Sequence, residues 1–195
     1  MTVFQYAHHI DQHLTLAINS LGTTVSDPFF QFLSMKEVWF PMYAVIAGIL
    51  IWRLGWKRGL VAIFACALTV VACDQLGNLV KDTVQRLRPC WDLNMVEGGL
   101  RIAEDKGGLY GFYSAHAANS MGFAVCTLLF FALDSRHKYR IYPSVIVIWA
   151  LLVGVSRIFV GKHFLGDVLV GFFVGLVFGW LFYRIGRAVI NRFRL

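Results

Sequence analysis

Long apolar runs separated by short polar connectors dominate this chain. The runs extend from about Val38 to Trp52 (starting as early as Phe29), Leu60 to Val80, Ala115 to Leu133, Ile141 to Val155, and Phe164 to Ile185. A helix that crosses hydrocarbon needs about 20 mostly apolar residues, so each run predicts a span, the short fourth one by tilting or extending at its ends. Ahead of them Val3, Tyr6, Ile10, Leu14 and Ile18 recur at helical spacing, with His8, His9, Asp11 and His13 between. That alternation predicts an amphipathic helix on the membrane interface. Asp27-Pro28 then marks a turn. The pattern predicts an all-α, polytopic membrane helix bundle of about five transmembrane helices plus an N-terminal interfacial helix.

Composition supports this. Of 195 residues 58% are hydrophobic and 15% charged, with mean hydropathy +0.64, against about 45–50% and about 25% in a soluble domain. The length suits one domain, residues 1–195. The net charge of +7 is confined to connectors and the C-terminus, which is no nucleic-acid footprint. Arg53, Lys57 and Arg58 follow the first run, Arg136, Lys138 and Arg140 the third, and Arg184, Arg187, Arg192 and Arg194 the fifth. Five alternating spans bring all three clusters to one side, the cytoplasmic one by the positive-inside rule. The N-terminal segment, the loop Pro89–Tyr113 and the loop Arg157–His163 then face outward from a cytoplasmic (inner) membrane. With no lysine or arginine before Lys36, a cleaved signal peptide is not expected. Cys66, Cys73 and Cys126 sit in apolar runs and Cys90 is alone in its loop, so no disulfide framework is expected. His9 and His13 are four apart, but no third strong ligand accompanies them, and no metal site is assigned. No obligatory protein partner is evident.

Polar residues near a bilayer are costly unless paired or used. Three islands of them fall on the outward side. Lys81 through Arg88-Pro89 ends the second run. If the helix continues, Asp74, Lys81 and Arg88 form one stripe, with Pro89 closing it. Tyr113-Ser114-Ala115-His116 opens the third run. Ser114 is a natural N-cap, and Gly107, Gly108 and Gly111 permit close backbone approach. Ser156-Arg157 through His163 to Asp167 opens the fifth; His163 and Asp167 are four apart, which on a helix shares a face. Singly, the first two read better as snorkelling cations and a capped helix, and the third as well as a satisfied histidine. Jointly they supply what phosphoryl transfer asks for: cations and backbone N–H groups for the phosphate oxygens, one histidine to attack, another to protonate the leaving oxygen, and a carboxylate to orient the attacker.

The islands resemble the signature of the type 2 phosphatidic acid phosphatase superfamily: Lys-x6-Arg-Pro, Pro-Ser-Gly-His, and Ser-Arg-x5-His-x3-Asp. Residues 81–89 and 156–167 fit the outer two unchanged. In the middle one Tyr113 replaces proline and Ala115 replaces glycine. Alanine keeps the backbone N–H, while its methyl narrows the approach. The likeness covers residues 81–167 by motif and most of the chain by helical arrangement. It implies that His163 attacks the phosphate and forms a phosphohistidine, oriented by Asp167. It implies that His116 is the acid for the leaving oxygen and then the base for water. Lys81, Arg88, Arg157, Ser114 and the Ala115 N–H would hold the phosphate, with no metal and no cofactor. The implied substrate is a membrane lipid phosphate: undecaprenyl pyrophosphate as the preferred expectation, with phosphatidylglycerol phosphate, phosphatidic acid and lipid A as alternatives. A lipid phosphotransferase and a small membrane transporter are the competing readings. The polar islands at span ends and the lack of an internal repeat speak against the transporter.

Overall fold

A computed structural model describes residues 2–195. Among them are eight α-helices: α1 (Val3–Asn19), α2 (Asp27–Ser34), α3 (Phe40–Leu54), α4 (Trp56–Val84), α5 (Leu93–Glu97), α6 (Ala115–Phe131), α7 (Tyr142–Phe159) and α8 (Leu165–Arg192). The chain forms a polytopic helical membrane bundle. The segment Glu37–Leu54, with α4, α7 and α8, is long and apolar enough to cross a membrane, and α6 adds a shorter apolar helix of 17 residues.

Local chemistry sets the helix limits. Pro28, Pro41 and Pro143 stand in the first turns of α2, α3 and α7, where a missing N–H costs nothing. Gly55, at φ +84°, turns α3 back into α4 within one residue, and the bare α-carbon of Gly59 lies against the Ile51 backbone. The first span does not reach back to Phe29: α2 ends at Ser34, and Met35 takes an extended conformation before the chain re-enters helix.

The bundle is organised around α4, α6 and α8, which pack against one another; α7 lies on α6, α3 on α4, and α2 on α7. Hydrocarbon solvates leucine as well as protein does, so span association depends on fit rather than on escape from water. Small residues supply that fit. A Cβ on Gly171 would stand 2.5 Å from the Ser114 carbonyl, and one on Gly179 would stand 2.6 Å from the Gly122 carbonyl. Gly175, between them, lies equally close to the Ala118 carbonyl. Beneath this seam Ala62, Ala65, Ala124, Phe130, Ile146 and Tyr183 form the main buried cluster. Large apolar side chains such as Phe64, Leu68 and Phe173 point outward, as a lipid-facing surface requires.

The two ends differ. At one, Arg53 bonds Asp134 (2.8 Å) and Tyr139 (3.1 Å), and Arg58 bonds the Leu195 carbonyl (2.7 Å). The basic connectors therefore meet at one end, as five alternating spans require. The opposite end carries α1, α5 and the loops that frame a polar cavity.

Candidate active site

Lys81 projects from the last turns of α4. The helix stops at Val84 because Gln85 adopts the left-handed conformation, φ 50°. Arg88 is therefore not part of a helical stripe with Asp74 and Lys81, and Pro89 does not close the helix but begins a short 3-10 turn. Arg88 returns to the same cavity by another route. Its extended backbone pairs with the loop near Tyr110: Arg88 N–H donates to the Leu109 carbonyl (3.0 Å), and Gly111 N–H donates to the Arg86 carbonyl (2.9 Å). A Cβ on Gly111 would come within 2.9 Å of Arg88 Cγ, so glycine is needed there.

Ser114 caps α6, its hydroxyl accepting from Ala117 N–H (3.5 Å), and its own N–H donates to the Asp167 carbonyl (3.0 Å). One residue earlier, Tyr113 donates its hydroxyl to the Cys73 carbonyl (2.8 Å) and lies against Gly77. The residue standing in the proline position thus pins the start of α6 to α4.

His163 lies before α8, in the turn opened by Gly161 at φ +78°; Lys162 and His163 N–H groups both donate to the Arg157 carbonyl (2.9 and 3.2 Å). The four-residue spacing to Asp167 therefore works through a turn plus the first turn of α8, not along one helix. His163 Nδ1 stands 3.5 Å from Asp167 Oδ2, a charge-pair separation longer than an ordinary hydrogen bond, and the ring is 3% exposed. That Oδ2 also accepts from Phe164 N–H (3.0 Å), capping α8. Burial, then the positive charges of Arg157, Arg88 and Lys81, hold the His163 pKa well below the usual histidine value, partly offset by the Gly111 carbonyl. The ring is thus neutral at physiological pH, with a lone pair available.

A cavity of about 330 Å³ brings Lys81, Arg88, Ala115, His116, Arg157 and His163 together. Ser114 and Asp167 do not line it; they lie behind as cap and orienter. Arg157 Nε is buried without a partner, while Arg157 Nη1 reaches Glu104 (3.3 Å). Lys36, Asp74 and His116 are shared with an adjoining apolar cavity of about 600 Å³ between α3, α4 and α6, walled by residues such as Tyr43, Ile46, Val70 and Phe123.

Several contributors escape a sequence reading. Lys36 is the first basic residue of the chain, far from any motif. Arg86 sits inside the first island but outside its signature positions; it donates to Asp167 Oδ1 (2.7 Å) and to Asp11 Oδ2 (2.7 Å). Of the N-terminal histidines, His9 and His13 touch each other (Nε2–Nε2 3.1 Å), whereas His8 turns to Arg86 (3.1 Å). Among the described residues no group of three or more His, Cys, Asp or Glu side chains could hold a metal ion. The four cysteines are free thiols.

The model of the PAP2 superfamily matches residues 58–190. The chain is 34% identical over 192 residues to a lipid A 4'-phosphatase of Bacteroides thetaiotaomicron, covering 97% of this chain and 83% of that protein. It is 30% identical over 184 residues to a lipid A 4'-phosphatase of Porphyromonas gingivalis, covering 93% and 75%. It is 32% identical over 151 residues to phosphatidylglycerophosphatase B of Bacillus subtilis, covering 72% and 64%. The fold is similar to the crystal structure of a transmembrane PAP2 type phosphatidylglycerolphosphate phosphatase from Bacillus subtilis, with TM-score 0.73 at 19% identity over 94% of this chain and 88% of that one. It is also similar to that of Aquifex aeolicus LpxE, with TM-score 0.67 at 21% identity over 88% and 93%.

Proposed function

The chain belongs to the PAP2 superfamily and is a multi-pass membrane hydrolase of lipid phosphates; on that premise we propose that it removes a phosphate from a sugar of the lipid A class, with His163 as nucleophile. The observation that carries this reading is the shared wall of the two cavities. A phosphate held by Lys81, Arg88 and Arg157 leaves its lipid pointing toward the apolar cavity, past Asp74 and Lys36. Asp74 Oδ1 accepts from Asn119 Nδ2 (2.8 Å), leaving the other oxygen to receive a hydroxyl donor at the junction. A sugar offers hydroxyls there; the polyprenyl chain of undecaprenyl pyrophosphate offers none. The names of the similar lipid A phosphatases point the same way, and they lend the undecaprenyl expectation no specific support.

In the proposed mechanism His163 Nε2 attacks phosphorus while Nδ1 faces Asp167. Bound phosphate offsets the three cations, which raises the basicity of the ring as its lone pair is needed. The P–O bond to the lipid breaks, and the leaving oxygen takes a proton from His116. His116 then removes a proton from water, the resulting hydroxide attacks the phosphohistidine, and the P–N bond breaks to release inorganic phosphate. Ser114 acts as the cap that aims the Ala115 N–H, and cations with backbone donors stabilise the equatorial oxygens. The basic connectors support an outward-facing site in a cytoplasmic membrane.

The test is a phosphate-release panel with purified protein in mixed micelles: lipid A bearing a 4'-phosphate, phosphatidylglycerol phosphate, phosphatidic acid and undecaprenyl pyrophosphate. The expected order puts lipid A first in kcat/KM. Faster turnover of undecaprenyl pyrophosphate would overturn the lipid A reading in favour of a polyprenyl substrate. Labelled phosphate appearing on a second lipid instead of in water would identify a phosphotransferase.

A further inference from the structure

Outside residues 58–190 that match the family, α1 packs behind the site, against the start of α8. Leu165 N–H donates to Thr15 Oγ1 (2.9 Å) and Gly166 N–H to Asp11 Oδ1 (2.8 Å). These are donors of the first turn of α8, for which the helix holds no backbone carbonyl. A Cβ on Gly166 would lie 2.7 Å from Asp11 Oδ2, so its absence admits the α1 carboxylate. Asn19 fastens the far end of α1 to the carbonyls of Ile158 (2.9 Å) and Phe159 (3.1 Å).

Between Asp11 and Asp167 lies Arg86, 2.7 Å from each, its guanidinium 4.0 Å above the Phe164 ring. Asp167 has no solvent exposure, and a carboxylate so enclosed stays ionised only beside a cation. The neutral His163 does not supply that charge. With Oδ1 held by Arg86, the carboxylate rotation is fixed, and Oδ2 is turned to His163. Asp11 in turn fixes Arg86 from the other side, and His8 Nδ1 (3.1 Å) completes its surroundings. We infer that Arg86 and Asp11 are positioning residues for the reaction: an Asp11–Arg86–Asp167 chain sets the charge and aim of the carboxylate behind His163, making α1 part of the catalytic apparatus. This rests on the assignment of His163 and Asp167 above.

The experiment compares His163→Ala, Arg86→Ala, Asp11→Asn and the Arg86→Ala/Asp11→Asn double variant, as purified full-length protein. It records kcat and KM for lipid phosphate and the thermal unfolding midpoint. Misaiming a catalytic group costs about 10²-fold, so Arg86→Ala is expected to lower kcat by about that factor with KM changed less than about twofold. Asp11→Asn is expected to lower kcat about tenfold, and the double variant to be no worse than Arg86→Ala, because both act through one chain. Added guanidinium should restore part of kcat in Arg86→Ala and none in His163→Ala. Unchanged kcat overturns the inference, as does a rise in KM alone. Multiplying losses in the double variant overturn it too, as does a fall in kcat that follows the unfolding midpoint without guanidinium rescue. Full turnover by His163→Ala would instead remove the underlying assignment, so the two failures are distinct.

Discussion

Replacing His163 with alanine removes the attacking atom, and kcat is expected to fall by about 10³-fold or more in the phosphate-release assay. Lys162→Ala, outside the cavity lining, should cost far less. The acid limb of kcat/KM should lie well below pH ~6.5, the ordinary histidine value. Burial and three cations depress the His163 pKa, so the free enzyme keeps its nucleophile deprotonated there. The same shift affects stability. Because the folded pKa lies below the unfolded one, the unfolded chain takes up the proton first. The His163 contribution to stability therefore declines as pH falls below about 6.5, and His163→Gln should flatten that part of a pH-dependent unfolding curve. Local spacing makes Ser114 and His163 legible in the sequence, because Ser114 caps a donor three residues on and His163 meets Asp167 four residues on, whereas Lys81, Arg88, His116 and Arg157 take their roles from the resemblance to a family signature. Arg86 was not legible, because its partners lie 81 and 75 residues away and only the fold joins them.

At the scale of elements, the apolar runs of the sequence correspond to α3, α4, α6, α7 and α8, and the differences lie at their ends. Gln85 ends α4 in a left-handed conformation with no glycine to announce it, so in the sequence the stripe from Asp74 to Arg88 reads as continuous. The apolar side of α1 faces outward, with Val3, Tyr6, Ile10 and Leu14 exposed, while the partners of its polar side cannot be read from its spacing. Hydropathy reports a preference for environment; it does not report which polar partner waits across the fold. The seam of α6 and α8 gives a direct test. Gly175→Leu forces a side chain against the Ala118 carbonyl and should cost about 3 kcal/mol, read as a lower unfolding midpoint in detergent. An unchanged midpoint would mean that the helices are not held at backbone contact.

For the whole molecule, charge placement and span number agree with the observed gathering of basic connectors at one end. Labelling single cysteines at Lys106 and Arg136 in a cysteine-free background should modify the first from outside intact cells and the second only after permeabilisation. The reverse pattern would invert the proposed orientation. The glycine seam adds a consequence at this scale. Where α6 and α8 touch main chain to main chain, no acyl chain can pass, so the bundle is shut on that flank. The apolar cavity lies elsewhere, among α3, α4 and α6. A lipid travelling in the plane of the membrane therefore finds its way in beside α3 and α4 rather than between α6 and α8: the glycine seam helps decide from which compass direction it arrives.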